Sequence, residues 1–466
     1  MTPGYPTVSA SIYIDRTGSS IGLPILVSAE GPVMPLLRYQ ILNHANSNSW
    51  HVKLLQAVRL LLLYAAANPD SYEKPRDLFA GFSNRIMMGT IGEDGLDPSG
   101  LYWVPRRSSD ARRIIRMLTE FSAWLAAEFG VPELNPLRDA TRHEQVLAAA
   151  AWAHRNEASF LGHLGSRSAA WRRFEKTHLI GLPHAPAVSS VNEAVRFPEE
   201  YFPRLLTQGF MGQRDIDSSY SWLALRNILI TLLMHGAGFR CSECFHLWIE
   251  DVKPDPFDPS CALVQVGHPS EGLAEWRDAG GRPARGTRRE YLLTCGLTPR
   301  HLVYGKGRAG WKHPALDGKY YIQAHWSDVA YGRLFFAIWK QYLSRILPIK
   351  RRHPWAFISA TGDPYKMASF HEDYDRAMKS IGLLARRSEG GQPHCHRHAY
   401  GGRLGDAKVS PMTIRKAMHH GSLQSQEVYT QADQNRMHAD LNAGRLNMAA
   451  PCLSEVSMAL KLEDMS

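Results

Sequence analysis

Cysteine is scarce in this chain, six in 466 residues. That is too sparse for a disulfide framework, and a reducing compartment is the simpler expectation. Long apolar runs are missing as well. The longest, Leu60 to Ala67 and Ile228 to Met234, fall well short of the roughly 20 residues that cross a bilayer. The opening Met-Thr-Pro-Gly-Tyr-Pro has neither the basic start nor the apolar stretch of a secretory signal, so a soluble, cytoplasmic protein is expected. Acidic residues are in short supply, 44 against 54 Lys and Arg, which leaves a net charge of +10 and a pI near 9.3. That balance suits a partner dense in negative charge, such as nucleic acid, without requiring one. Internal repeats and long low-complexity segments are absent, which argues against a repeat architecture.

What is present is a globular composition, 44% hydrophobic, in a chain too long for one compact domain; two or three are expected. Residues 1–32 alternate apolar and polar around Gly18, Gly22 and Gly31 and read as short strands with turns. Residues 33–130 turn to helical periodicity. Trp50, Leu54, Leu55, Val58, Leu61 and Leu62 form one apolar face, Leu78, Phe79, Phe82, Ile86 and Met87 a second, and Ile114, Ile115, Leu118, Phe121, Trp124 and Leu125 a third. Arg106, Arg107, Arg112, Arg113 and Arg116 gather at the start of that third helix, as a phosphate-contacting surface or a solvated basic face. Residues 131–215 are broken by prolines and read as linker and elaboration, with one clear helix at Ala148 to His154.

A new unit, residues 216–440, opens on a strongly apolar helix that stops at His235-Gly236-Ala237-Gly238, with Arg240 just beyond. A short second helix from Ser242 and a strand at Ala262 to Val266 come next, then a Gly/Arg-rich excursion (Asp278 to Arg289) and the exposed loop Gly305-Lys306-Gly307-Arg308-Ala309-Gly310-Trp311-Lys312. Leu334 to Leu343 and Phe370 to Ile381 read as helices, with a strand at Trp355 to Ile358 between them. Residues 441–466 form a polar, weakly amphipathic tail. The fold class expected is mainly α with a small β-sheet.

Three stretches carry chemistry. Ala237-Gly238-Phe239-Arg240-Cys241-Ser242-Glu243, running on to Asp251-Val252, resembles the first arginine box of the tyrosine recombinase (phage integrase) family. Pro393-His394-Cys395-His396-Arg397-His398 looks like its second box, His-x-x-Arg-His. Met418-His419-His420-Gly421-Ser422 through Tyr429 is similar to its last, in which a histidine precedes the tyrosine nucleophile by nine residues. Together they match in order and internal spacing.

The resemblance implies a helical core-binding domain at 33–130, a catalytic domain at 216–440, double-stranded DNA as partner, a homo-tetramer on paired sites, and a reaction needing no metal or other cofactor. By the same resemblance Arg240 and Arg397 clamp the scissile phosphate, His394 serves as base or hydrogen-bond partner, and His420 donates to a non-bridging oxygen. Tyr429 attacks, and either Lys306 or Lys312 protonates the leaving oxygen. The residue types suit that work. Guanidinium forks match phosphate oxygens and stay charged at any working pH, whereas a phenol with a pKa near 10 must shed its proton as it attacks.

Glu243, three residues after Arg240, falls on the same side and can orient the guanidinium; His398, like His396, is expected to support the site. Cys241 and Cys244 with the histidines at 394, 396 and 398 have ligand types that zinc favours, but the cysteines sit where the family places hydrophobic residues, and no metal site is expected. A type IB topoisomerase, a telomere resolvase, or a DNA-binding protein that no longer cuts are the alternatives.

Overall fold

The computed structural model describes residues 4–13, 16, 20–157, 174–182, 195–212, 222–303, 305–318 and 320–421. Tyr429, Ser422 and the tail from 441 lie outside the described residues. The protein is mainly helical with small sheets, as expected, and divides into two compact units at Val188/Ser189.

In the first unit, strands β1 (Thr7–Tyr13), β2 (Ser20–Ser28) and β3 (Gly31–Pro32) form an antiparallel meander. It packs on helices α1 (Met34–Leu42), α2 (Asn48–Ala67), α3 (Pro75–Met88) and α4 (Ser108–Phe129). Leu26 of β2 shares one core with Leu54, Leu55, Phe79, Phe82, Ile115 and Leu118, and Gln40 of α1 donates to the Pro24 carbonyl at 3.0 Å. The meander is therefore part of the helical body. The three apolar faces read from the sequence meet here.

The arginines of α4 are partly neutralised, Arg113 by Asp110 at 2.7 Å and Arg116 by Glu120 at 3.7 Å. Beyond α4, strand β4 (Leu137–Asp139) pairs with β5 (Lys176–His178) on either side of helix α5 (Arg142–Glu157). The Asn135 amide fastens the ends of that pair through Ile180, at 2.8 and 3.1 Å.

The stretch 195–212 does not behave as a linker. Phe197, Phe202, Leu205, Leu206 and Phe210 enter the core of the second unit. Its prolines mark entries to short helical turns, Glu199–Tyr201, Phe202–Arg204 and Leu205–Phe210, so proline content misread a packed segment as a spacer.

The second unit is built around helix α6 (Trp222–Ala237), buried on every face from Asn227 to its end, as a helix apolar all round must be. Helices α9 (Val329–Ile346), α10 (Met367–Ser380) and α11 (Pro393–Asp406) surround it. A small antiparallel sheet, in the order β10 (Tyr321–Gln323), β7 (Ala262–Gly267), β6 (Val252–Pro254), lies beside them. The Gly/Arg-rich excursion is a folded hairpin, β8 (Leu273–Arg277) with β9 (Pro283–Thr287), feeding helix α8 (Arg288–Thr294). Trp355 to Ile358 forms isolated bridges to Trp248 and Pro364 rather than a strand. No helix among the described residues is long and apolar enough to cross a membrane.

Candidate active site

The end of α6 sets the site. Gly238 takes a left-handed φ of +69°, and a Cβ there would stand 2.4 Å from the Tyr400 ring; both the turn and the close approach of α11 require glycine. The chain then enters α7 (Cys241–Cys244), a single turn with Arg240 at its N-cap.

Glu243, at the third position of that turn, accepts the Arg240 backbone N–H at 2.8 Å and its guanidinium Nη1 at 2.6 Å. The reciprocal logic of a helix N-cap thereby also aims the cation. The same carboxylate stands 3.8 Å from Nη1 of Arg397. Glu243 is fully buried while the Arg240 side chain keeps 19% of its surface open. One buried anion thus holds two guanidiniums side by side from behind.

Arg397 rises from α11 and is 2% exposed. Its Nη1 donates to the Gly238 carbonyl and its Nη2 to the Met418 carbonyl, both at 2.5 Å. These bonds tie α11 to the end of α6 and to the turn after α12 (Pro411–Ala417). His420 follows that turn, 4% exposed.

The electrostatics place the remaining groups around this pair. Desolvation first, then the charges of Arg397, Arg240, His419 and His394, push the His420 pKa down to about 3. The His394 pKa also falls to about 3, from desolvation and then His398, Arg397, Lys312 and Arg240. Because the His394 side chain is exposed in the free chain, water relieves part of the desolvation, and the surrounding cations are the lasting cause. The His394 and His398 rings meet edge to face at 4.6 Å.

Lys312, exposed on its loop, is the lysine whose charge acts on His394; Lys306 is exposed at the preceding turn. Arg240, Arg397, His394 and His420 therefore form one neighbourhood, with Lys312 and His398 at its edge and Glu243 beneath. Tyr429 falls outside the described residues.

Burial first, and then the neighbouring guanidiniums, keep both imidazoles neutral at ordinary pH. An anion with several oxygens fits such a place: it accepts from two guanidiniums and lets the imidazoles donate or accept a proton. His396 faces elsewhere. Fully buried and stacked on Phe197, it bonds Tyr374 Oη at 2.8 Å and His235 Nδ1 at 3.1 Å, joining α11 to α10 and α6. Burial raises the Cys241 thiol to about 12 and the Cys244 thiol well above its usual value, so both stay protonated and pack as small apolar groups.

Sequence reasoning passed over three groups. Arg288 is buried in an ion pair with Asp251 and lies 4.2 Å above the Trp248 ring, locking the hairpin to the first box. Arg300 donates to the carbonyls of Phe245, Gly307 and Tyr365, and so braces the loop that leads to Lys312. Asp317, His325 and His419 gather beside His420, with ligand-capable atoms all within 4.8 Å. Asp251 and His419 stood within the quoted boxes; the partners of all three groups are set by tertiary contact.

No protein-family model and no curated protein matches the chain. Among solved structures it is similar to the XerH site-specific recombinase bound to palindromic difH substrate, at 13% identity over 85% of this chain and 96% of the other, TM-score 0.37. It is similar to the Tn1549 transposon integrase in complex with circular intermediate DNA, at 14% over 80% and 99%, TM-score 0.33. It is also similar to a lambda integrase dimer bound to a COC′ core site, at 11% over 85% and 76%, TM-score 0.41.

Proposed function

We propose that the second unit is a DNA strand transferase of the tyrosine recombinase type. The observation that carries this reading is the pairing of Arg240 and Arg397 on one buried carboxylate, Glu243, with His394 and His420 inside their field. These are the residues that the three sequence boxes single out, drawn from three separate segments.

In the proposed reaction the two guanidiniums hold the non-bridging oxygens of the scissile phosphate, where charge grows as the phosphorus is attacked. His420 donates to one of those oxygens. The Tyr429 phenol attacks phosphorus in line and passes its proton to His394, whose neutral imidazole offers a bare nitrogen at neutral pH. The P–O5′ bond breaks, and the leaving 5′ oxygen takes a proton from Lys312, or from Lys306 should the loop rearrange on DNA. A 3′-phosphotyrosine link results, and attack by a 5′ hydroxyl from a partner strand reverses each step. The ester bond energy is retained in the link, so the proposed exchange uses no nucleotide or metal.

The first unit, with the arginines of α4, serves in this reading as the core-binding domain on double-stranded DNA. Four copies on paired sites make the working assembly in this reading. The test is a nicked duplex whose short 5′ fragment diffuses away after cleavage. The wild-type chain should accumulate a covalent adduct that Tyr429→Phe does not form. An adduct that persists in Tyr429→Phe refutes the assignment, and relaxation of supercoiled DNA without a specific site moves it to a topoisomerase.

A further inference from the structure

The turn that delivers His420 is built against its backbone preference. Helix α12 closes with His419 N–H donating to the Lys416 carbonyl at 3.0 Å and His420 N–H to the Arg415 carbonyl at 2.9 Å. The left-handed position of this closure is His419, at φ +54°. Glycine is the usual occupant, because a Cβ there costs roughly 1 kcal/mol. A histidine in its place has to return something that only its side chain can supply.

That return is Asp317. The imidazole of His419, fully buried, bonds the Gln323 carbonyl through Nε2 at 2.9 Å, and the same nitrogen stands 3.0 Å from Asp317 Oδ2. Since both neighbours accept, Nε2 carries the proton. Asp317 Oδ2 also takes the Gln323 N–H at 2.8 Å, and Oδ1 faces His325 Nε2 at 3.3 Å. Burial pushes this carboxyl up, but the donors from His325, His419 and Gln323 override it and hold it well below the usual carboxylate range. A backbone bond runs the other way, Ala315 N–H to the His419 carbonyl at 3.2 Å. The chain that bears Lys312 and the turn that bears His420 are thus laced together at Asp317 and Ala315. On its other side the same turn offers the Met418 carbonyl that anchors Arg397.

We propose that Asp317, acting through His419, is a positioning residue for the phosphate clamp: it fixes the turn that sets His420 and the Met418 anchor of Arg397, and holds the Lys312 segment in register with them. This inference rests on the strand-transfer reading. It takes the three groups as a hydrogen-bonded tether; because His419 Nδ1 is buried with no hydrogen-bond partner among the described residues, the test carries a chelator arm.

The test compares wild type, Asp317→Asn and His419→Gly as full chains, in single-turnover adduct formation on the nicked duplex at saturating DNA. His419→Gly removes the tether and relieves the left-handed turn, but it also vacates a buried site and leaves Asp317 short of a donor, so its melting temperature should fall by an amount similar to that of Asp317→Asn. Its rate should fall on the order of 100-fold, the cost of a displacement near 1 Å, with DNA affinity within about threefold. A purely structural role predicts instead that rate follows melting temperature across the variants. His419→Gly cleaving at the wild-type rate overturns the positioning role and leaves the strand-transfer reading intact. A wild-type chain that forms no adduct on any substrate overturns both. Cleavage that a chelator abolishes and zinc restores makes Asp317, His325 and His419 a metal site and overturns the positioning role as well.

Discussion

Replacing Glu243 should do two things that are rarely seen together: weaken the fold and make it responsive to simple oxyanions. The carboxylate is fully buried, receives a backbone N–H and a guanidinium from Arg240, and stands 3.8 Å from a second guanidinium that is itself almost inaccessible. Removing one partner of such a group leaves uncompensated buried charge, which costs about 3–5 kcal/mol. Arg240 keeps 19% of its side-chain surface open to water, so Glu243→Ala belongs at the lower end, about 3 kcal/mol. For a unit of this size that is a fall of roughly 6–12 °C in Tm.

Glu243→Gln retains an acceptor for the Arg240 N–H and should lose about half as much. In the alanine variant the two guanidiniums repel each other with nothing between them, so sulfate or phosphate should bind there more tightly than in wild type. Each tenfold excess over Kd then returns about 1.4 kcal/mol. Differential scanning calorimetry of the three proteins across a sulfate series reads both effects, with sodium chloride of equal ionic strength as control. A Tm for Glu243→Ala within about 2 °C of wild type, or equal sulfate responses in both, refutes the claim that this carboxylate holds the two arginines together.

Other consequences follow from the same geometry. The His420 pKa is depressed to about 3 in the folded chain against about 6.5 unfolded; the unfolded state therefore binds the proton first, and stability is lost as pH falls below 6.5. At pH 5 this one buried group contributes a loss of about 2 kcal/mol, with His396 and His246 adding in the same direction; a Tm that is flat or rising from pH 7 to 5 contradicts it. Gly238→Ala sets a Cβ 2.4 Å from Tyr400 in a left-handed turn and should cost about 2–4 kcal/mol in chemical denaturation; a neutral result shows that α11 can move away. Lys312→Ala should slow adduct formation by about 10²–10⁴-fold, and a substrate with a 5′-sulfur leaving group, which needs no proton, should restore it. If Lys306→Ala shows that pattern and Lys312→Ala does not, the proton donor is reassigned.

What could be read from the sequence was what a short run of residues fixes by itself. The helical faces of the first unit follow from periodicity, because a helix needs only its own side chains to declare which side is buried. Glu243 was legible as a neighbour of Arg240, since three residues along one turn bring the groups together; that it also braces Arg397 was not, because α11 reaches it from far along the chain. The prolines near 198 and 203 suggested a spacer, since proline ends regular structure, yet proline also begins helical turns, and the phenylalanines beside them pack in the core.

The hardest feature to foresee was Asp317. On paper it is one carboxylate in a Gly- and Tyr-rich stretch, and its meaning depends on a backbone angle at His419 that a histidine ordinarily avoids. The motif histidine at 420 names the group proposed to meet the phosphate. The residue before it, strained and tied down, accounts for how that group is held still enough to work.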